Sequence, residues 1–213
     1  MTKAEAAAHW DGAYALGDTT RSWFQDQPRV SLRMFDAAAV SPSDGVIDVG
    51  GGASTLVDAL LERGFADITV LDISTTGLHT AQQRLGAHAQ RAQWLHTDVL
   101  TWHPHRTYQV WHDRALFHFL TSGEAKHQYL QTLHKATTPG SVAVFGCFAP
   151  DGPQQCSGLP VARYDRQELA AQLGSGWTLL IHEREKHATP GGAVQSFSWA
   201  AFLRNHMTEQ AWR

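Results

Sequence analysis

The run Gly45-Val46-Ile47-Asp48-Val49-Gly50-Gly51-Gly52-Ala53-Ser54 constrains this chain more than any other stretch. A short apolar strand ends in an acid, breaks at three consecutive glycines, and restarts as a helix predicted over 55–63. Glycine adopts φ > 0 without a Cβ penalty and lets the backbone come close to a ligand. The helix that follows offers free N–H groups at its first turn. Such a turn places a nucleoside-type cofactor at the carboxyl edge of an α/β sheet.

The spacing is D-x-G-x-G-x-S, not the G-x-G-x-x-G of a dinucleotide fold. Asp48 also stands inside the strand end, where a dehydrogenase usually has an apolar residue. A second strand, Ile68 to Leu71, ends in Asp72, an acid suited to ribose hydroxyls in either kind of cofactor. A third strand region, Gln93–His96, leads into Thr97-Asp98 and puts another carboxylate at the same edge. Asp72 and Asp98 also read as helix caps, with Ser74 and Thr97 competing for that role.

The glycine turn and the three strand-end acids in series resemble the class I S-adenosylmethionine-dependent methyltransferases over roughly residues 44–203. The resemblance implies a Rossmann-like α/β fold: a seven-stranded, mostly parallel sheet, its last strand antiparallel, with helices on both faces. It implies S-adenosyl-L-methionine as cofactor, held by Asp48, Gly50, Gly51, Gly52, Asp72, Ile73, Asp98 and Val99, with Trp23 and His112 beside them. It implies one domain over 1–213, with residues 1–40 forming a helical cap over the site and 41–213 the cofactor-binding core.

The chain alternates strands and helices without a long linker, as a parallel sheet with right-handed crossovers requires. Helices are predicted over 2–16, 30–39, 75–85, 122–136 and 165–173, the last capped by Asp165. Further strands are expected at 108–111, 141–148, 177–182 and 194–203. With 213 residues, 43% of them apolar, the chain can bury a full core as one unit. No apolar run reaches the ~20 residues of a membrane span, and the amphipathic, acid-containing start is unlike a signal peptide. A cytoplasmic protein with no membrane partner is expected. A formal charge of −3 with mixed signs argues against a nucleic-acid partner. Two cysteines provide neither a disulfide scaffold nor zinc spacing, and the thirteen histidines form no helical metal-ligand pair, so no metal is expected. His103 and His105 read as surface residues of a loop.

Ligands of an open parallel sheet bind outside the carboxyl ends of its strands. Three segments converge there: 111–119 after strand four, 149–160 after strand five, and a hairpin over 183–193. They carry the candidate acceptor-contacting residues Asp113, His118, Cys156 and His187. His112, His118 and His187 are the side chains with a suitable intrinsic pKa for taking a proton. Trp23, Phe24 and Phe117 are candidates to face a sulfonium cation. Each segment has a plainer reading too. Trp111 fits the core, Asp113 and Arg114 fit an ion pair capping the next turn, and Cys147 fits a small core hydrophobe. Segment 149–160, Gly- and Pro-rich, has the length of a lid, and Cys156 is inert or functional within it.

Trp-His-Asp-Arg-Ala at 111–115, Asp-Gly-Pro-x-x-Cys-Ser-Gly-Leu-Pro-Val-x-Arg-Tyr at 151–164, His-x-Thr-Pro-x-Gly-x-x-Gln-x-Phe at 187–197 and Ser-Trp-Phe-Gln at 22–25 resemble a group of small stand-alone bacterial methyltransferases. Trp-x-Asp-Arg is also similar to thiopurine methyltransferases. The implied function is methyl transfer to a sulfur, nitrogen or oxygen nucleophile of a small molecule, by a monomer or homodimer. A protein lysine methyltransferase and a non-catalytic cofactor-binding module are the alternatives, and a metalloid held by Cys147 and Cys156 is a further one.

Overall fold

The computed structural model describes residues 2–17 and 19–206. The ends of the unit expected over 1–213 therefore lie outside the described residues, as does Asp18. Helix α1 (Lys3–Ala15) starts at the N-cap Thr2, which forms a reciprocal capping box with Glu5. Then come α2 (Arg29–Ala37), β1 (Val46–Val49), α3 (Leu56–Glu62), β2 (Ile68–Asp72), α4 (Thr75–Leu85) and β3 (Gln93–His96). The second half holds β4 (Val110–Arg114), α5 (Gly123–Ala136), β5 (Val142–Phe148), the short β6 (Gln155–Cys156) and β7 (Leu159–Pro160), α6 (Arg166–Leu173), β8 (Trp177–Ala188) and β9 (Val194–Arg204).

Seven strands form one sheet in the order β3-β2-β1-β4-β5-β9-β8. All neighbours run parallel until β9, which is antiparallel to both β5 and β8. The expected architecture is thus the observed one. Strand order reverses between β1 and β4, and the crevice of such a sheet opens at that switch point.

Alternation of side chains across the sheet builds two cores. Val46 packs toward Met34 and Phe35 of α2 and Val57 and Leu60 of α3, with Leu78 of α4 in the same cluster. Ile47 and Val49 face the other way, toward Trp111, Tyr129, Leu133 and Leu169. Helices α2 to α4 therefore cover one face and α5 and α6 the other. Ser74 and Asp165 cap α4 and α6 through their side chains.

Three expectations are corrected. Strand β4 spans Val110–Arg114, not 108–111, because its register with β1 and β5 carries His112 and Asp113 into the middle of the sheet. Strand β8 continues past His182 to Ala188, where cross-strand pairing with β9 holds it, so His187 lies on a strand opposite Gln195 and not in a loop. Segment 149–160 carries its own β6–β7 ribbon, turned by Ser157 and Gly158 at φ of +51° and +75°. Successive positive φ values of that kind match the hairpin twist.

Candidate active site

Gly50 and Gly51 hang their N–H groups on the carbonyl of Leu71, at 2.7 and 3.2 Å, so the turn after β1 is locked to the end of β2. Gly52 adopts φ of +45°, and a Cβ there would lie 2.0 Å from Tyr14 Oη. Only glycine lets α1 sit down on this turn. Asp11 fixes the same helix to the start of α4, accepting from Ser74 Oγ at 2.7 Å and Thr76 N at 2.9 Å.

Beneath α1 lies a cavity of about 270 Å³. Asp48, Gly50, Gly51, Asp72, Ile73, Asp98 and Val99 line one part of it. Trp10, Trp23, Phe24, Phe119, Arg114 and Cys156 line another. That volume is at the lower edge of small-molecule sites, about 300–1,000 Å³. Trp10, Tyr14 and Phe119 are cavity residues that the sequence reading misses. Helix α1 has no clean apolar stripe, so nothing in its pattern marks the face it turns inward.

Asp72 is buried, and burial is the main reason its carboxyl is pushed up to about 7; the charge of Asp48 adds to this, while N–H donors from Ser74, Gly52 and Ile73 oppose it. Its Oδ1 accepts from Ser74 N at 2.7 Å. Asp98 accepts from Leu100 N at 2.9 Å and remains at the cavity wall. Asp48 Oδ1 lies 2.7 Å from His112 Nδ1. An ionised carboxylate only accepts, so Nδ1 carries a proton. His112 Nε2 meets Ser31 Oγ at 2.9 Å. Both ring nitrogens are thus engaged, and the ring lies between Phe35 and Trp199. His112 lines the cavity without offering it a free base.

The other expected acceptor-contacting residues fall outside that cavity, apart from Cys156. Asp113 is fully buried on the opposite face of β4, accepting from the N–H groups of Leu116 and Phe117 and from Tyr129 Oη. Burial pushes its carboxyl up to about 6. Tyr129 Oη accepts in turn from Trp111 Nε1 at 2.8 Å, so Trp111 is a core residue. Phe117 packs in that same core and is not among the residues that line the cavity. Asp113 does not pair with Arg114, because neighbours on a strand point to opposite faces. His118 is fully buried, takes Phe148 N–H on Nδ1 at 3.3 Å, and is driven down to about 3, chiefly by burial. His187 donates from Nε2 to the Ser22 carbonyl at 2.8 Å, and burial lowers its pKa. It holds the 22–25 segment in place. Cys156 lines the cavity, its thiol pushed up to about 11 mainly by burial, whereas Cys147 sits in the core of the other sheet face. Two thiols so separated cannot share one metalloid.

Arg114 is a further cavity residue that the sequence reading passes over. Its Nη1 donates to the Trp23 carbonyl at 2.8 Å, and its guanidinium lies 5.2 Å from the Phe197 ring centroid. Ala115, next in the chain, is held at φ of +67° and is bonded through its N–H to Gly146 O.

A glycine turn and strand-end acids facing one chamber at a topological switch point define an α/β domain built for a nucleoside cofactor. Residues 46–140 match the methyltransferase domain family. EEF1A lysine methyltransferase 2 of Danio rerio is 30% identical over 80 residues, 33% of this chain; the match spans about a third (34%) of that relative's length. An S-adenosylmethionine-dependent methyltransferase from Anabaena variabilis shares the fold at a TM-score of 0.73 and 13% identity, over 94% of this chain and 95% of that one. The 1,6-didemethyltoxoflavin-N1-methyltransferase of Burkholderia thailandensis, solved with 1,6-didemethyltoxoflavin and S-adenosylhomocysteine, does so at 0.65 and 18%, over 97% and 92%. Residues 46–140 thus match a methyltransferase domain, within a sheet whose fold is shared with S-adenosylmethionine-dependent methyltransferases over nearly the whole chain. Among the described residues, no helix is long and apolar enough to cross a membrane.

Proposed function

We propose that this protein transfers a methyl group from S-adenosylmethionine to a nucleophile on a small molecule, and that residues 1–40 act as the cap of its active site. One observation carries this reading: α1 and the 22–25 segment roof the chamber, and Trp10, Trp23, Phe24 and Phe119 line it. A protein tail needs an open groove; a roofed aromatic chamber suits a small, partly apolar acceptor.

The residues at the wall fit the cofactor. Asp48 Oδ2 is buried without a hydrogen-bond partner among the described residues, so it can take a donor from a ligand. A Cβ at Gly51 would meet that carboxylate at 2.7 Å, so the glycine keeps the cradle clear. Asp72 would hold the ribose hydroxyls, Asp98 the adenine amino group, and Ile73 and Val99 the apolar faces of the base. When bound, the cofactor supplies a methyl already activated on a sulfonium. The chain contributes position and dryness: the glycine turn and Asp72 fix one reactant, the aromatic walls orient the other, and α1 excludes water. His112 is engaged on both nitrogens, and His118 and His187 are not among the cavity-lining residues. Among the described residues, then, no histidine of the chamber is free to take a proton. A nucleophile that arrives as an anion or with a free lone pair suits that lining.

The test is a screen of thiols, amines and acids with methyl-labelled cofactor, run beside a cell lysate. Transfer to small molecules is expected. Label appearing only on lysate proteins would instead favour the lysine methyltransferase reading, which the Danio rerio relative supports.

A further inference from the structure

Arg114 is a cationic side chain of the chamber, which Lys3 also lines, and its donors are only partly used. Nη1 is bonded to the Trp23 carbonyl, while Nε and Nη2 are buried without a hydrogen-bond partner. Those two N–H groups lie side by side on one edge of the planar guanidinium. That edge is the one a carboxylate engages bidentately. Burying those donors without a partner carries a desolvation penalty for each, which an acceptor reaching that edge from the chamber would relieve.

No carboxylate among the described residues fills the role. Glu185 is the strongest charge acting on Arg114, yet its oxygens accept from Gln25 Nε2 at 3.0 Å and Trp199 Nε1 at 2.7 Å. Asp48 accepts from His112 on Oδ1 and makes no bond to Arg114 through Oδ2, and Asp113 points to the opposite face. The Cys156 thiol is another polar group at this wall. The backbone, meanwhile, is built to present Arg114. The next residue, Ala115, occupies the left-handed region, which is strained for an alanine. Its N–H donates to Gly146 O, and the N–H groups of Leu116 and Phe117 donate to the Asp113 carboxylate, so this turn is held in place. Strain so supported marks a position where side-chain direction matters.

We infer that the acceptor is a flat, largely apolar small molecule bearing a carboxylate, and that Arg114 selects it by receiving that carboxylate on its Nε–Nη2 edge. This rests on the small-molecule methyltransferase reading above and names its substrate class. Trp10, Trp23, Phe24 and Phe119 provide the apolar walls for the body of such a molecule. The carboxylate is an anchor, so the methylated atom lies elsewhere on the acceptor. Arg114 then acts in specificity and positioning, and its contact with the Trp23 carbonyl ties acceptor binding to the 22–25 segment.

The test uses the full chain saturated with S-adenosylhomocysteine. Benzoate and phenylacetate are titrated calorimetrically against benzamide and phenylacetamide, which match them in shape but not in charge. The acids are expected to bind about tenfold to hundredfold more tightly than their amides, as one bidentate charge-assisted pair implies. In Arg114→Met this preference should vanish and in Arg114→Lys shrink, each variant being titrated at saturating S-adenosylhomocysteine. The acid-versus-amide comparison on the unaltered protein stands even if a variant fails to fold. Equal binding of acid and amide, no binding of either acid, or a preference that survives Arg114→Met would overturn the proposal. Failure of the protein to take up S-adenosylhomocysteine at all would instead overturn the methyltransferase reading beneath it.

Discussion

Replacing Asp72 with asparagine should make the protein more stable and worse at holding its cofactor. Burial raises this carboxyl from 3.8 to about 7. A folded-state pKa above the unfolded one means that folding favours the protonated form. The group's contribution to stability is therefore fully present below 3.8 and is lost as pH rises toward 7. Three units correspond to about 4 kcal/mol of penalty above pH 7. The amide of Asp72→Asn would escape that penalty but bury an NH2 without a partner, at about 1–3 kcal/mol. The net gain at pH 8 is roughly 1–3 kcal/mol, or about 2–10 °C in melting temperature for a chain of this size. The opposite sign applies to the ligand. Losing charge-assisted bonds to the ribose hydroxyls costs about 2–4 kcal/mol, a roughly 30- to 1,000-fold weaker Kd for S-adenosylhomocysteine. In the unaltered protein the affinity should also fall about tenfold per pH unit below 7, since binding must then release a proton; in Asp72→Asn it should be flat. Calorimetric titration at pH 5.5, 7 and 8, with thermal melts of the free protein, reads both effects. A variant that binds as well as the parent refutes the ribose assignment, and one that melts lower at pH 8 refutes the burial argument.

Gly52→Ala should unseat α1, because its Cβ would collide with Tyr14 Oη and φ of +45° is strained for alanine. Hydrogen exchange over residues 3–15 should accelerate and S-adenosylhomocysteine affinity fall at least tenfold; unchanged protection of α1 would count against the contact. Tyr129→Phe strips Trp111 Nε1 and the Asp113 carboxylate of a shared partner, at about 2–4 kcal/mol in urea unfolding. The loss should be larger at pH 8 than at pH 5, because Asp113 ionises near 6 and its charged form is the one the hydroxyl supports. An unmoved midpoint would mean that water replaces the hydroxyl at no cost.

The half of the molecule that can be read from the chain is the half whose signals are local. The glycine turn, the acids at the ends of β1 and β2, and the caps Ser74 and Asp165 are each set by residues within a few positions of one another. Asp98 reads as lying at the same sheet edge, and it does line the chamber. Strand β4 is harder to place because Val-Trp-His-Asp-Arg looks too polar for a central strand. His112 is made tolerable there by Asp48 and by Ser31, and Asp113 by Tyr129 on α5. No window of sequence contains those partners together. His187 misleads for the same reason: its partner is a carbonyl 165 positions away. Arg114 becomes visible by applying strand alternation once His112 is known to face Asp48, since the next residue but one returns to the same face.

Tyr14 rests on the very glycine whose N–H also reaches toward Asp72, so the roof and the nucleoside seat share a point of support. If cofactor binding steadies the roof, a closed roof steadies the cofactor by the same coupling free energy, since coupling between two equilibria is reciprocal. On the proposed reading, release of the spent cofactor should follow unlatching of the first helix, and turnover should track how readily that helix lifts rather than how quickly the methyl moves.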